Sequence, residues 1–384
     1  MADMTSRERV VTTLEHREPD RVPFDCTFSY EGYLRLKEYL GLETDKEVHP
    51  SNSWLSVGTP IELLHELSID LCYIGLRKAK NSPKFEYGMD QYTDEWGVEY
   101  RKVKHSSGIY YDFANRVLGD ATIDDLEEYP WPDPHNPELS EGLEEKCRDL
   151  YENTDFALVG KFSDSIFERA FYMRGFEQML IDVAINPEFA MALMDKLTDL
   201  AIARMEVGFE ACGKYIQILR VAGDDMGHQD GPLMAPKTFR EVVKPQFARY
   251  YQAVRDLINK YNPDIKLMAH TDGDVYPIIP DYIEMGLDVL NPVQPYVEEM
   301  EHEKLKKEFG DRLSFHAGID IQSVMPHGSP EEVRAEAIKT MNALGPGGGY
   351  ILAPTHYIQS DVPPENIIAL RDAVMEFGKY PLKE

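Results

Sequence analysis

The stretch Ile265-Lys-Leu-Met-Ala-His270-Thr-Asp272-Gly-Asp274 is a short apolar run that stops abruptly at a histidine and two carboxylates. It reads as a buried strand opening into a functional loop. Side chains alternate faces along a strand, so His270 and Asp272, at i and i+2, point to one side where strand geometry persists that far. Gly273 lets the chain turn, and Val275-Tyr-Pro-Ile-Ile begins the next element. A satisfied histidine beside a helix-capping aspartate would give the same spacing, because aspartate is a common N-cap. What favours a site is that several other strands end in the same way.

Strand-like runs lie near residues 22, 69, 157, 215, 265, 289, 313 and 350, with helical patterns between them. That makes about eight βα units, the number that closes a barrel. The expected fold is therefore α/β, a (βα)8 TIM-type barrel forming a single domain over residues 1–384. At or just beyond the carboxyl ends of those strands come Asp224, Asp225, His228, His270, Asp272, Asn291, Gln294, His316, Asp320 and His356. In a barrel that is the mouth where active sites are built. A doubly wound open sheet also gathers ligands at carboxyl ends, so the placement supports a site more firmly than it supports closure. No GxGxxG follows a strand, and Gly345-Pro-Gly-Gly-Gly349 precedes one, which fits a helix stop and turn better than a phosphate cradle.

Other stretches fill in the frame. Thr5-Ser-Arg-Glu8 has capping-box spacing at the head of a helix carrying Val10, Val11 and Leu14. A long helical region is expected from about 164 to 211, and another helix from Pro236 to Tyr261. Between about 80 and 150 the pattern changes: Tyr92 to Val103 alternates like a hairpin, and Tyr129-Pro-Trp-Pro-Asp-Pro134 is a proline-rich connector. This reads as an insertion covering the mouth, a lid or a contact in a homodimer, with Trp96 or Tyr110 as an apolar wall. It has too few apolar residues to bury a core of its own.

Composition excludes some classes. The 384 residues are 43% hydrophobic, enough for a large core, and no run of ~18 apolar residues suits a membrane span. The N-terminus lacks the basic-then-apolar shape of a signal peptide, so a cytoplasmic location is expected. A formal charge of −28 argues against nucleic acid or an anionic membrane as partner. The four cysteines, Cys26, Cys72, Cys147 and Cys212, form no CxxC pair and read as small buried apolar residues.

Each candidate has a plainer reading. Asp224 or Asp225 is expected to cap the next helix, leaving the other free for hydrogen bonding or proton transfer. His316 is either a core histidine on a backbone carbonyl or a ligand. Asn291 and Gln294 could satisfy buried backbone groups.

Over almost its whole length the chain resembles the uroporphyrinogen decarboxylase superfamily. The resemblance runs from Thr5-Ser-Arg-Glu-Arg-Val and Glu18-Pro-Asp-Arg-Val-Pro23 to Gly347-Gly-Gly-Tyr-Ile-Leu-Ala-Pro354 and Val362-Pro-Pro-Glu-Asn366. Between them lie Glu168-Arg-Ala-Phe-Tyr-Met-Arg-Gly175, Gly223-Asp-Asp-Met-Gly227, Met285-Gly-Leu-Asp-Val-Leu-Asn-Pro-Val-Gln294 and Ala317-Gly-Ile-Asp-Ile-Gln322. Single motifs are weak; their order and coverage carry the assignment. The resemblance implies a βα barrel with its cleft at the strand C-termini. It points to substrate contacts at Asp224, His228, Gln229, Asn291, Gln294 and Arg174.

The superfamily comprises tetrapyrrole decarboxylases and zinc methyltransferases that act with methylated corrinoid proteins. The decarboxylases carry an arginine-rich segment soon after the first helix, whereas Val22 to Tyr33 has no arginine here. A polyanionic substrate would then meet bare repulsion from an acidic site. Thiol-activating methyltransferases use a His-x-Cys pair at a strand end and a second cysteine before the C-terminal helix. Those positions read His270-Thr-Asp272 and Pro354-Thr-His356. Imidazole and carboxylate suit zinc, and a harder site is a stronger Lewis acid. The resemblance thus implies zinc held by His270, Asp272 and His356, and a methyl group moved from a small, for instance methoxy, substrate to a corrinoid protein. A metal-free decarboxylase or lyase stays open, with Asp225 or Asp272 steadying a protonated intermediate and His270 or His316 donating the proton. A non-catalytic binding barrel is the third class.

Overall fold

The structure, a computed structural model, describes residues 3–43, 48, 50, 55–105 and 108–382. Its centre is a sheet of seven parallel strands: Leu71–Gly75, Ala157–Lys161, Ile218–Arg220, Lys266–His270, Val289–Asn291, Ser314–His316 and Tyr350–Ile351. Each pairs with the strand next to it in this sequence of strands, as βα repetition requires.

The run expected as a strand near residue 22 forms no regular ladder. Pro23 has no amide hydrogen, so only part of the pairing is available. What remains still bridges the sheet's two edges. Phe24 forms an isolated parallel bridge to Leu352. Leu352 N–H donates to the Pro23 carbonyl and Asp25 N–H to the Leu352 carbonyl, while Asp70 N–H donates to the Phe24 carbonyl. This segment closes the ring between last strand and first, giving the TIM-type barrel.

Strand alternation divides the apolar residues into two cores. Cys72, Leu158, Leu219, Leu267, Leu290 and Phe315 face outward to the helices. Leu71, Ala157, Val159, Ile218, Met268, Val289 and Ile351 face inward and pack with Val10 and Leu14. The helix Ser6–Leu14, opened by the Thr5/Glu8 capping box, thus plugs the amino-terminal end of the barrel. Arg9 and Arg21 both pair with the buried Asp70 carboxylate at 2.7 and 2.8 Å. Arg21 is therefore committed to the barrel floor.

Two long helices expected from the sequence are interrupted. The 164–211 region is three helices, Phe167–Arg174, Phe176–Ile185 and Pro187–Cys212, broken at Gly175, whose φ of 92° leaves the helical basin, and at Pro187. The 236–261 region carries a π-helical turn over Phe239–Val243 ahead of Lys244–Tyr261, where Pro245 cannot donate to the preceding turn. The insertion is a three-stranded antiparallel sheet, Gln91–Thr93, Glu99–His105 and Gly108–Phe113. Its Trp96, Val98, Tyr100 and Tyr111 join the core shared with the barrel helices. Two arginines from those helices stack on Trp96, at 4.9 Å for Arg169 and 5.3 Å for Arg204. Cys147 and Cys212, expected as small buried apolar residues with no disulfide readable from their spacing, are joined in a disulfide; Cys26 and Cys72 are free and buried. Among the described residues no helix is long and apolar enough to cross a membrane.

Candidate active site

One strand step above the apolar plug, the inward-facing positions turn polar. They are Tyr73, Lys161, Arg220, His270, Asn291 and His316, with Asp25 supplied by the closing segment. These residues line a cleft with two lobes. The inner lobe, about 340 Å³, holds Asp25, Tyr73, Asn291 and His316. The outer lobe, about 410 Å³, holds Glu168, Asp225, Asp272 and, from the insertion, Tyr92, Asp94 and Trp96. Lys161, Arg220, His270, His356 and Tyr357 border both. Tyr110 is exposed on the insertion and borders neither.

A chain of hydrogen bonds fixes the imidazoles. His270 Nδ1 lies 2.7 Å from Asn291 Oδ1, and Asn291 Nδ2 lies 2.7 Å from His316 Nδ1. His316 Nε2 is 3.0 Å from Asp25 Oδ2, which also accepts the Tyr73 hydroxyl at 2.6 Å. One assignment of protons satisfies every member. The Asn291 oxygen accepts from His270 Nδ1–H, its amide donates to His316 Nδ1, and His316 Nε2–H donates to Asp25. His270 Nε2 is left with a bare lone pair facing the outer lobe. Of the two readings of His316, a core histidine on a backbone carbonyl does not describe this one, whose partners are side chains.

His270 Nε2 looks toward carboxylates, 3.9 Å from both Asp225 Oδ1 and Asp272 Oδ2. His356 enters from beyond the last strand with its ring 6.2 Å from that of His270. One donor atom each from His270, Asp272 and His356 lies within 4.8 Å of the others, close enough to share one ion. Burial, then Arg220, holds both histidines neutral, His356 at about 4 and His270 well below its ordinary value. Two unprotonated imidazoles and a carboxyl group that gives up its proton on binding make a donor set suited to zinc, so the residues fit a divalent ion.

The loop after His270 is tightly held. Gln294 donates to Asp272 Oδ1 at 2.9 Å and accepts Gly273 N–H at 2.8 Å, and Asp225 Oδ1 accepts Asp272 N–H at 2.8 Å. Gly273 has a φ of +81°, and a Cβ there would meet the Gly227 carbonyl carbon at 2.3 Å. Burial first, then Asp225, pushes Asp272 up to about 8. Burial and the Asp225 and Asp224 charges hold Glu168 well above the usual carboxyl range, so it keeps a proton and donates it to Asp225. Lys161, ahead of burial, draws the Tyr357 phenol down to about 8.

Several sequence-predicted contacts lie elsewhere. Asp224 accepts the amides of Ile166 and Glu168 at 2.9–3.1 Å. It caps the helix Phe167–Arg174, which precedes it in the chain, rather than the next helix, and its carboxylate is spent there. Arg174 is buried, bonded to Asp182 at 2.7 Å and to the carbonyls of Leu118 and Ala121, and stacks on Phe189. It anchors the end of the insertion. His228 and Gln229 are exposed on a short hairpin, where His228 Nδ1 accepts Asp230 N–H and Gln229 bonds Gln322. Gln294 grips Asp272 instead of bordering the cleft, and Asp320 caps its own turn through Gln322 and Ser323. Of the expected substrate contacts only Asn291 borders the cleft.

Six residues of the site escaped the sequence reading: Asp25, Tyr73, Lys161, Glu168, Arg220 and Tyr357. Lys161 and Arg220 end apolar strands as His270 does, and the same rule would have found them. They also change the charge balance, since an anion entering the cleft meets a guanidinium and an ammonium rather than bare repulsion.

Residues 106–377 match the family model for uroporphyrinogen decarboxylase (URO-D). Curated relatives include uroporphyrinogen decarboxylases of Magnetococcus marinus, 27% identical over 59% of this chain and 60% of the relative, and of Pseudoalteromonas translucida, 35% identical over 51% of each. The chain thus spans 60% and 51% of the length of these two. Among solved structures, a methyltransferase from Methanosarcina mazei superposes with a TM-score of 0.65 at 19% identity, over 98% of this chain and 99% of that one. With the family model covering well over half of its residues on a barrel of this form, the chain belongs to the uroporphyrinogen decarboxylase family.

Proposed function

We propose that this protein is a methyltransferase that takes a methyl group from a small methylated substrate, a methoxy compound being the simplest, and delivers it to the corrinoid of a partner protein. The observation that carries this reading is the approach of His270, Asp272 and His356 to within 4.8 Å at the barrel mouth. These three would hold zinc and leave a fourth position open to substrate. When bound, the ion supplies Lewis-acid polarisation of the methylated heteroatom.

The remaining steps belong to side chains in place. Asn291 fixes the His270 tautomer so that Nε2 is the ligating atom. Gln294 and the Asp225 contact hold the 272–273 loop on the ligand side of the cleft. An ether oxygen that loses its methyl needs a proton, and Glu168 holds one against Asp225 at the outer lobe. Trp96 walls that lobe and limits water.

The experiment is to mix zinc-loaded protein with a reduced corrinoid protein and a panel of methoxy and methylamine compounds, following the cobalt spectrum. Appearance of methyl-cobalt is the expected result. A second reading, decarboxylation of a carboxylated substrate, is favoured by Lys161 and Arg220 beside the Glu168–Asp225 acid pair. Turnover of uroporphyrinogen with no methyl transfer across the panel would select it.

A further inference from the structure

The ring of inward-facing polar residues is linked by hydrogen bonds over only part of its circumference. From Tyr73 through Asp25, His316 and Asn291 to His270, each is bonded to the next. Lys161 and Arg220 complete the ring. The pairing of Gly160 with Leu219 puts these two cations at one level on adjacent strands. Among the described residues neither Lys161 nor Arg220 is ion-paired to a carboxylate, although Arg169 in the outer lobe pairs with Asp94 and Asp164; the partner of Lys161 is the Tyr357 phenol, to which it is hydrogen-bonded.

That arrangement is unusual in this chain. With 68 acidic residues against 40 basic ones, carboxylates are abundant, yet the two adjacent cations inside the barrel face cavity. Inward cations are costly unless an anion completes them. A guanidinium beside an ammonium offers a planar fork and a point donor to the two oxygens of a carboxylate. Arg220 lies opposite Met268, two residues before His270 on the neighbouring strand. An anion seated there is then about 7 Å from the His270 level, one two-residue strand step.

We propose that Lys161 and Arg220 form a carboxylate-binding subsite, and that the substrate is a small methylated carboxylic acid. Its anionic end rests on the two cations while its methylated atom reaches toward His270, Asp272 and His356. The orientation rests on the methyl-transfer reading; the anion subsite does not.

The test compares 3-methoxybenzoate and methoxyacetate with their neutral amides by titration calorimetry. Wild-type protein is expected to bind at least one carboxylate tighter than its amide by roughly tenfold or more, the size of a charge-assisted hydrogen bond. The preference should vanish in Lys161→Gln and Arg220→Gln, return in part in Arg220→Lys, and survive His356→Ala. Equal affinity for acid and amide, no binding of either acid, or a preference unchanged in both Gln variants would overturn the subsite. Should a variant fail to fold, the wild-type comparison decides alone. A carboxylate preference without methylation of cobalt leaves the subsite standing and removes the methyl-transfer reading. Methyl transfer with no such preference does the reverse.

Discussion

Replacing Asn291 by alanine removes a side chain that is bonded to two imidazoles at once. Two hydrogen bonds of 2.7 Å are lost, and a buried donor on His270 and a buried acceptor on His316 are left without partners. At ~1.5 kcal/mol for each bond the folded state should lose roughly 3 kcal/mol. The sharper consequence concerns the metal. Without the Asn291 oxygen, the proton of His270 is free to sit on either nitrogen, and the ring loses its orientation. Partners of this kind are typically worth about 10–100-fold in metal affinity. Asn291→Asp separates the two effects: it keeps an acceptor for His270 Nδ1–H, and its charge raises the basicity of Nε2, but it cannot donate to His316. Zinc affinity by chelator competition, with thermal melting as the stability control, should therefore fall at least tenfold in the alanine variant and stay near wild type in the aspartate variant. Wild-type affinity in Asn291→Ala, or an equal loss in both, would refute the tautomer assignment.

Three further outcomes are expected. His356→Ala should abolish zinc retention on dialysis while the circular dichroism spectrum is unchanged; zinc retained at wild-type stoichiometry would exclude His356 as a ligand. Asp272 keeps its proton up to about pH 8, whereas both histidines are already deprotonated at neutral pH. Zinc must then displace that proton, so its affinity should climb by up to about tenfold per pH unit toward pH 8 and flatten above. Calorimetry in buffers of different ionisation heat reads the proton released, and affinity that fell with rising pH would contradict the assignment. Cys147→Ser should lower the melting temperature under non-reducing conditions, because the Cys147–Cys212 bond closes a separation of 65 positions. On the chain-entropy account that closure is worth about 4 kcal/mol; an unchanged melting temperature in non-reducing buffer would show that the bond does not form in solution.

Much of this architecture is written in local patterns. The seven ladder strands, the capping box at Thr5 and the hairpin alternation of the insertion all follow from periodicity, which is a property of neighbouring residues. So do His270, Asn291 and His316, because each lies two residues beyond an inward residue of its strand. What periodicity does not carry is the partner across space. Asp224 looks like a cap for the helix that follows it, yet it serves one that comes before. Arg174 has the charge of a substrate contact and is consumed by Asp182. Asp25 lies in a run that Pro23 keeps from forming a ladder, so nothing marks it as a site residue until its bond to His316 is seen. The breaks at Gly175 and Pro187 were visible in composition, but an apolar pattern that continued through both concealed them.

The closing segment has a consequence for the order in which the protein can be built. Asp25 and His316 are bonded across 291 positions, and Leu352 must be present before residues 23–25 have their second edge, the first being supplied at Asp70. On a ribosome, the early helix and its following segment can meet Asp70 and the first strands early, but their contacts with the last strand wait while six of the seven ladder strands are made. Contacts of such long sequence separation form late, after their loop-closure entropy has been met. The polar ring is completed by the same event that closes the sheet, so an incomplete chain would carry His270 without the anchored imidazole network behind it. Closure of the sheet and completion of the hydrogen-bonded ring are thereby tied to a single step.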